Sequence, residues 1–291
     1  MMRSITSIEG NTQKLDGGSM FGNAPRALWQ RWIEPDELNR IPLACRAMLV
    51  QESNPKRTIL VETGVGAFFS PEMKDRYGIQ EQEHCLINNL QAVGVSHEEV
   101  DIVLLTHLHF DHAGGLLSEW QEGEDPYLLF PNAKYLVGEV QWQRANDPHA
   151  RDRASYIPML IKLLEESGRL EIIPEGQQSA TLGEGWTLHE SSGHTPGQIL
   201  PEVEMPEGPV VYPGDLIPGS AWVHLPITMG YDRFPEQLID EKRQLLEGLE
   251  SRGGRLLFVH DPFVAMGRVT KDAKGKYSVD QTCEQVSALS N

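Results

Sequence analysis

The chain has 291 residues, 40% of them hydrophobic, which is enough to bury a full core, and no compositional break divides it, so one domain over 1–291 is expected. Its 25 Lys and Arg stand against 42 Asp and Glu, a net charge of -17, and that field repels polyanions, which excludes nucleic acid and anionic membrane surfaces as partners. The first residues lack the apolar core of a signal peptide, no run is apolar for long enough to cross a bilayer, and Cys45, Cys85 and Cys283 form no disulfide framework, so the expected location is cytoplasmic.

Residues 1–43 form an entry strap rich in glycine and aromatics, with Asp16-Gly17-Gly18-Ser19-Met20-Phe21-Gly22 followed by Trp29 and Trp32. Either it is irregular and its aromatics complete the core, or it lines a pocket or a dimer contact. Residues 43–50 and 58–62 read as paired strands that lead into Glu62-Thr63-Gly64. Gln82 to Val93 carries Leu86, Leu90 and Val93 at helical spacing, and Ser96 followed by His97-Glu98-Glu99 reads as an N-cap with acids in the first turn, which makes His97 an exposed helix residue.

Ile102 to Leu105 is a continuous apolar run, as suits a strand covered on both faces. Thr106-His107-Leu108-His109-Phe110-Asp111-His112-Ala113-Gly114-Gly115 follows at once. At the end of a strand, His107 and His109 project from one side; Asp111 and His112 fall where the chain turns, and the glycines permit close packing. Four ligand-capable side chains in six positions exceed what one three-ligand catalytic metal takes from a single loop, so two metals are the natural reading.

Residues 139–168 read as a helical insertion broken at Pro148 and Pro158, with Tyr156, Met159, Leu160, Leu163 and Leu164 recurring on one face, either packing on the core or lining a substrate groove. Leu170 to Ile173 and Trp186 to Glu190 are strands, the second delivering the chain to His194 in Ser-Gly-His-Thr-Pro-Gly. Ser191 and Ser192 stand in no Gly-x-Ser-x-Gly elbow and read as structural. Val210 to Tyr212 and Leu256 to Val259 are strands ending near Asp215 and His260. Pro235 opens a helix through Leu238, Ile239, Leu245, Leu246 and Leu249 that ends at Gly253-Gly254. Arg268, Lys271, Lys274 and Lys276 fall on a solvated hairpin in the tail.

His107-x-His109-x-Asp111-His112 resembles the signature loop of the metallo-β-lactamase-fold hydrolases, and the resemblance spans residues 58–262. It implies an α/β (α+β) fold, a four-layer αββα sandwich in which two mixed sheets are flanked by helices. It also implies two divalent metal ions, one held by His107, His109 and His194, the other by Asp111, His112 and His260, with Asp215 bridging. Nitrogen and carboxylate donors without thiolate suit zinc, but also iron, manganese or cobalt. Where the family usually carries Asp-x-Gly this chain has Glu62, read as an acid that supports the metal loop and not as a ligand.

The entry strap, with Gly17-Gly18-Ser19-Met20-Phe21-Gly22, resembles that of the N-acyl homoserine lactonases, and the stretches Gly214 to Pro218, Trp222 to Pro226 and Met229 to Asp232 resemble lactonase-like relatives close to quorum-quenching enzymes and methyl parathion hydrolase. The activity so implied is the opening of an ester or lactone ring, N-acyl homoserine lactones foremost, by attack of a metal-bridging hydroxide, with Asp111 and Asp215 catalytic and a homodimer as the assembly. Organophosphate triester or aryl ester hydrolysis on the same site is the alternative. His224 and Tyr231 are candidates for hydrogen bonding to the substrate, or else an ordinary loop histidine and a packed tyrosine. No cysteine lies beside Asp215, which disfavours antibiotic hydrolysis; a glutathione-binding helical tail and the flavin domain of di-iron relatives are both missing from the sequence.

Overall fold

The computed structural model describes residues 2–290. Its two large sheets follow from period-2 alternation in apolar strands. In the first sheet Met48 and Val50, Ile59 and Val61, and Ile102 and Leu104 turn to one face, whereas Leu49, Leu60 and Val103 turn to the other. Both faces are covered, which is why these strands read as unbroken hydrophobic runs.

That sheet has seven strands, in the order Leu289–Ser290, Arg3–Glu9, Arg46–Ser53, Lys56–Val61, Ile102–Leu104, Lys134–Gly138 and Leu170–Ile173. The first four pair antiparallel and the last four parallel. The second has six, in the order Tyr277–Cys283, Met266–Lys271, Arg255–Leu257, Val210–Val211, Gln198–Val203 and Trp186–Ser191, with one parallel pairing, between 210–211 and 255–256. The inner faces meet in a core that sets Ile5, Met48, Val61 and Leu104 against Leu188, Ile199, Tyr212 and Val259. Outside the first sheet, Cys85–Ala92 and Pro158–Glu166 bury Leu86, Leu90, Leu160 and Leu164; outside the second, Pro235–Ser251 buries Leu238, Leu245, Leu246 and Leu249. Helix, sheet, sheet and helix make four layers, and each buried leucine contributes about 1.5–3 kcal/mol of transfer free energy.

Several local expectations change. The entry segment is not an irregular strap: Arg3–Glu9 pairs along its length with 46–52, and 17–21 is a short helix capped by Asp16. Periodicity could not find the strand, because Arg3, Ser4, Thr6, Ser7 and Glu9 make it mostly polar and leave only Ile5 and Ile8 as apolar positions. Phe21 is buried between the rings of Trp29 and Trp222, at 5.5 and 4.4 Å. Val93 caps its helix and is exposed instead of joining Leu86 and Leu90. Ser96 and Glu99 do form a capping box, but on a single 3-10 turn, where His97 is half-buried with its ring edge toward Phe130. In 139–168 Pro158 starts a helix at its first turn, and Ile161, not Met159, is buried beside Leu160.

The parallel pairs position the functional edge. Lys56–Val61 and Ile102–Leu104 run the same way, so Glu62 and the segment 106–112 emerge together; Val210–Val211 and Arg255–Leu257 do the same for Asp215 and His260. The two sheets are tied at this edge by the Ile199 N–H donating to the Thr106 carbonyl at 3.0 Å and the Arg46 N–H donating to the Val259 carbonyl at 3.0 Å.

Candidate metal centre

After Leu104 the chain stays extended through His109 and then makes one short helix, Phe110–Ala113. His107 and His109 leave the strand end on one side, and the helical turn brings Asp111 and His112 back beneath them. Glycine is required just beyond. A Cβ on Gly115 would sit 2.1 Å from the Thr63 carbonyl oxygen, and one on Gly114 would sit 2.4 Å from that of Val65. The loop after Val61 therefore packs directly on the histidine loop, with the Thr63 N–H donating to the His112 carbonyl at 2.9 Å.

Three groups of donor atoms result, each within 4.8 Å: His107, His109 and His194; Asp111, His112 and His260; and Glu62, His107 and His112, of which the first two share no residue. His109 Nδ1 lies 3.1 Å from His107 Nε2 and 3.3 Å from His194 Nε2. His260 Nε2 lies 3.3 Å from His112 Nε2 and 3.6 Å from Asp111 Oδ2. Asp215 stands between the groups, with Oδ2 3.2 Å from His194 Nε2 and 3.4 Å from His112 Nε2, and Oδ1 3.3 Å from His260 Nε2.

These residues fit divalent cations on their own geometry. Ring nitrogens face one another, and the buried Asp215 Oδ1 has no hydrogen-bond partner among the described residues, an arrangement costly to leave uncompensated. The far ring atoms are held: Thr106 Oγ1 is 2.9 Å from His107 Nδ1, Asp232 Oδ1 is 2.9 Å from His194 Nδ1, and His260 Nδ1 donates to the Ala44 carbonyl at 2.7 Å. The Asp232 carboxylate and the Ala44 carbonyl can only accept, so they fix the Nδ1–H form of His194 and His260 and leave Nε2 toward the centre, while Thr106 holds the His107 ring in place. Glu62 Oε1 accepts the Thr106 N–H at 2.5 Å, and Oε2 comes within 2.9 Å of His112 Nδ1 without the alignment of a hydrogen bond. Its φ of 68° is left-handed, a strained backbone for a glutamate.

Burial and neighbouring imidazoles push His107 and His109 well below the ordinary histidine range. Burial is the largest influence on His112, His194 and His260 too and opposes charge, but Asp215 together with Asp111 and Glu62 at His112, Asp232 at His194 and Cys45 at His260 outweighs it, and all three are pushed up. Burial would raise Asp215; the three imidazoles hold it well below the usual carboxylate range. A cation between the groups would replace those protons.

The centre opens into a cavity of about 390 Å³ whose walls include Leu15, Met20, Tyr77, Phe110, Met229 and Tyr231. Tyr231 thus faces the same space as Asp111, Asp215, His109, His194 and His260. His224 does not: it lines a different cavity, because the chain reverses between the 3-10 turn Ser220–Val223 and Met229. Sequence reasoning missed Gln13, whose Nε2 donates to Asp111 Oδ2 at 3.1 Å, and Asp232. Neither belongs to a local motif; Gln13 lies 98 residues from its partner and Asp232 lies 38 from its own. Tyr156, read from the sequence as part of a face that packs on the core or lines a substrate groove, has its ring 5.0 Å from that of His109, and its hydroxyl joins Gln141 and Thr195.

Residues 40–260 match the family model of the Metallo-beta-lactamase superfamily. An N-acyl homoserine lactonase of Bacillus sp is 28% identical over 194 residues, 62% of this chain and 65% of that protein. One from Bacillus cereus is 26% identical over 187 residues, 59% and 63% of the two chains. The chain thus spans less than two thirds of the length of these curated relatives. A solved structure from Staphylococcus aureus, described as a "probable metal-dependent hydrolase", superimposes with a TM-score of 0.84 at 27% identity, over 97% of this chain and 98% of that one. AidC, a dizinc quorum-quenching lactonase solved with a product, gives 0.71 at 18% identity over 96% and 94%, a likeness of fold.

Proposed function

Because the chain belongs to the metallo-β-lactamase superfamily, we propose that it is a metal-dependent hydrolase of the lactonase-like kind, opening the ester of a small lactone, N-acyl homoserine lactones foremost. The observation that carries this reading is Asp215, set between two groups of imidazoles at the floor of an apolar-walled cavity. His107, His109 and His194 would hold one divalent ion, Asp111, His112 and His260 the other, and Asp215 would touch both. Two such ions would supply a lowered pKa for water between them and positive charge against the acyl oxygen.

The remaining work falls to the chain itself. Gln13 holds one carboxylate oxygen of Asp111. The other is free to orient the attacking water, take its proton and pass it to the departing alkoxide, so that the acyl carbon–oxygen bond breaks and a hydroxy acid is left. Burial pushes the Tyr231 phenol up, so it stays protonated at neutral pH and can donate to the substrate from the cavity wall. Leu15, Met20, Phe110 and Met229 exclude water and offer apolar contact to an acyl chain.

The test is pH-stat hydrolysis of γ-lactones, short- and long-chain acyl homoserine lactones and paraoxon-type triesters by protein reconstituted with zinc, manganese or cobalt. Metal-dependent acid release with the highest kcat/KM on the lactones supports the reading. Higher kcat/KM on the triesters, or no lactone turnover with two metals bound, overturns it.

A further inference from the structure

His224, which the sequence offers as a substrate contact, opens instead into a second cavity of about 390 Å³ that shares no lining residue with the metal-lined one. Its chemistry is unlike the rest of this acidic surface. Arg31 and Lys276, both exposed, line it, and neither the guanidinium nor the ammonium has an ion-pair partner among the described residues.

The carboxylate in the lining, Asp261, is already committed. Its Oδ2 accepts the Ser220 N–H at 2.8 Å and the Ser220 hydroxyl at 2.5 Å, and its Oδ1 accepts the N–H groups of Phe263 and Val264 at 3.0 and 2.9 Å. Asp261 keeps its charge, but its oxygens are turned to these neutral donors and pair with neither cation, so the two cations outnumber the one carboxylate in the lining. Trp32 and Phe263 add flat apolar walls and remain 36% and 58% exposed, so their rings are open to a ligand in the cavity. Tyr277, also in the lining, is 3% exposed, with the Lys271 ammonium 4.8 Å from the centre of its ring. The imidazole of His224 is half-buried and neutral at physiological pH, since burial and the ammonium groups of Lys276 and Lys242 push it down.

We propose that this cavity is a second binding site, for a small aromatic carboxylate held by Arg31 and Lys276 with its ring against Trp32 and Phe263. Guanidinium and ammonium together suit a carboxylate, and an arginine beside aromatic rings suits a flat one. The aromatic walls favour such a ligand over inorganic phosphate, which has no ring to cover them. The inference stands apart from the hydrolase reading, since the two cavities share no lining residue.

The test is calorimetric titration of the metal-loaded protein with 1-naphthoate, 1-naphthalenemethanol and inorganic phosphate. One additional naphthoate site is expected, weakened about tenfold or more in the Arg31→Gln/Lys276→Gln variant, with the alcohol binding far less and phosphate failing to displace naphthoate. Lactone hydrolysis by that variant should match the parent. Undiminished naphthoate affinity in the variant would place the anion in the metal-lined cavity and overturn the proposal, as would equal binding of the alcohol or no saturable binding.

Discussion

The Nδ1 atom of His194 and the Oδ1 atom of Asp232 lie 2.9 Å apart, and both side chains are buried. Asp232 also accepts the Met229 N–H through Oδ2 at 2.6 Å, so one carboxylate fixes the ring that faces Asp215 and the loop that carries Tyr231. Asp232→Ala should therefore weaken metal binding about 10–100-fold. Chelator competition measures this, and lactone KM should rise in the same variant as the 229–231 wall loosens. Unchanged metal affinity would show that His194 is oriented without Asp232.

Asp215 presents a different dependence, because it lies between both imidazole groups instead of behind one. Asp215→Ala removes the carboxylate that holds the two groups at a common distance. Metal content per chain should fall from two toward one, and hydrolysis should drop by roughly three orders of magnitude or more. Metal analysis of the purified variant beside its kcat checks both; two tightly held ions would refute the bridging role.

Gln13 enters the site from the entry segment, donating to Asp111 Oδ2. If Asp111 moves a proton in the reaction, loss of that bond alters the carboxylate's orientation more than substrate binding. Gln13→Ala should lower kcat about tenfold with little change in KM. An effect confined to KM would make Gln13 part of the pocket wall only.

The histidine loop was legible because its chemistry is local: four ligand-capable residues within six positions after an apolar strand need no tertiary information. The alternation that sorts Leu49, Leu60 and Val103 from Met48, Val50 and Val61 was visible only as apolar runs, which is how doubly covered strands must look. What stayed hidden depends on long-range pairing. Arg3–Glu9 is mostly polar, and some of those polar residues are themselves buried in specific contacts, such as the Arg3–Glu52 ion pair at 2.8 Å, which no period reveals. His224 was misplaced for a related reason. Seven residues from Tyr231 in sequence, it lines another cavity because the intervening chain turns back, and composition does not encode the direction of a loop.

Gly115 allows a sharp test of how the site is assembled. A methyl there would meet the Thr63 carbonyl oxygen at 2.1 Å, backbone against backbone, so neither loop can yield by rotating a side chain. Gly115→Ala should cost roughly 1–3 kcal/mol. Melting temperature should fall by about 2–4 °C for each kcal/mol. Because the displaced loop begins beside Glu62, metal affinity should fall with it, whereas Gly123→Ala, with nothing within 4 Å, should lower stability only through its φ of +80° and leave metal affinity alone.

Far from the metals, Glu202 joins the second sheet to the end of the helix Pro235–Ser251. Its Oε1 accepts from Arg252 Nη1 at 2.5 Å, and its Oε2 lies 2.9 Å from both Arg252 Nη2 and His189 Nε2. Burial alone would raise this carboxyl, but His189 and Arg252 reverse the effect and bring it from 4.5 down to about 2. A carboxylate depressed on folding binds fewer protons in the native state than in the unfolded one, so its stabilisation is fully present above pH 4.5 and is lost as pH falls toward 2. The full shift would amount to roughly 3 kcal/mol, but Arg252 is largely exposed and solvent screens the pair, so about 1–2 kcal/mol is expected. Glu202→Gln should therefore melt about 2–8 °C below the parent at pH 7. The gap should close between pH 4.5 and 2, and added salt should narrow it at neutral pH. A gap that persists unchanged at pH 3 in high salt would assign the loss to altered hydrogen bonding of the amide and not to the charge of the carboxylate.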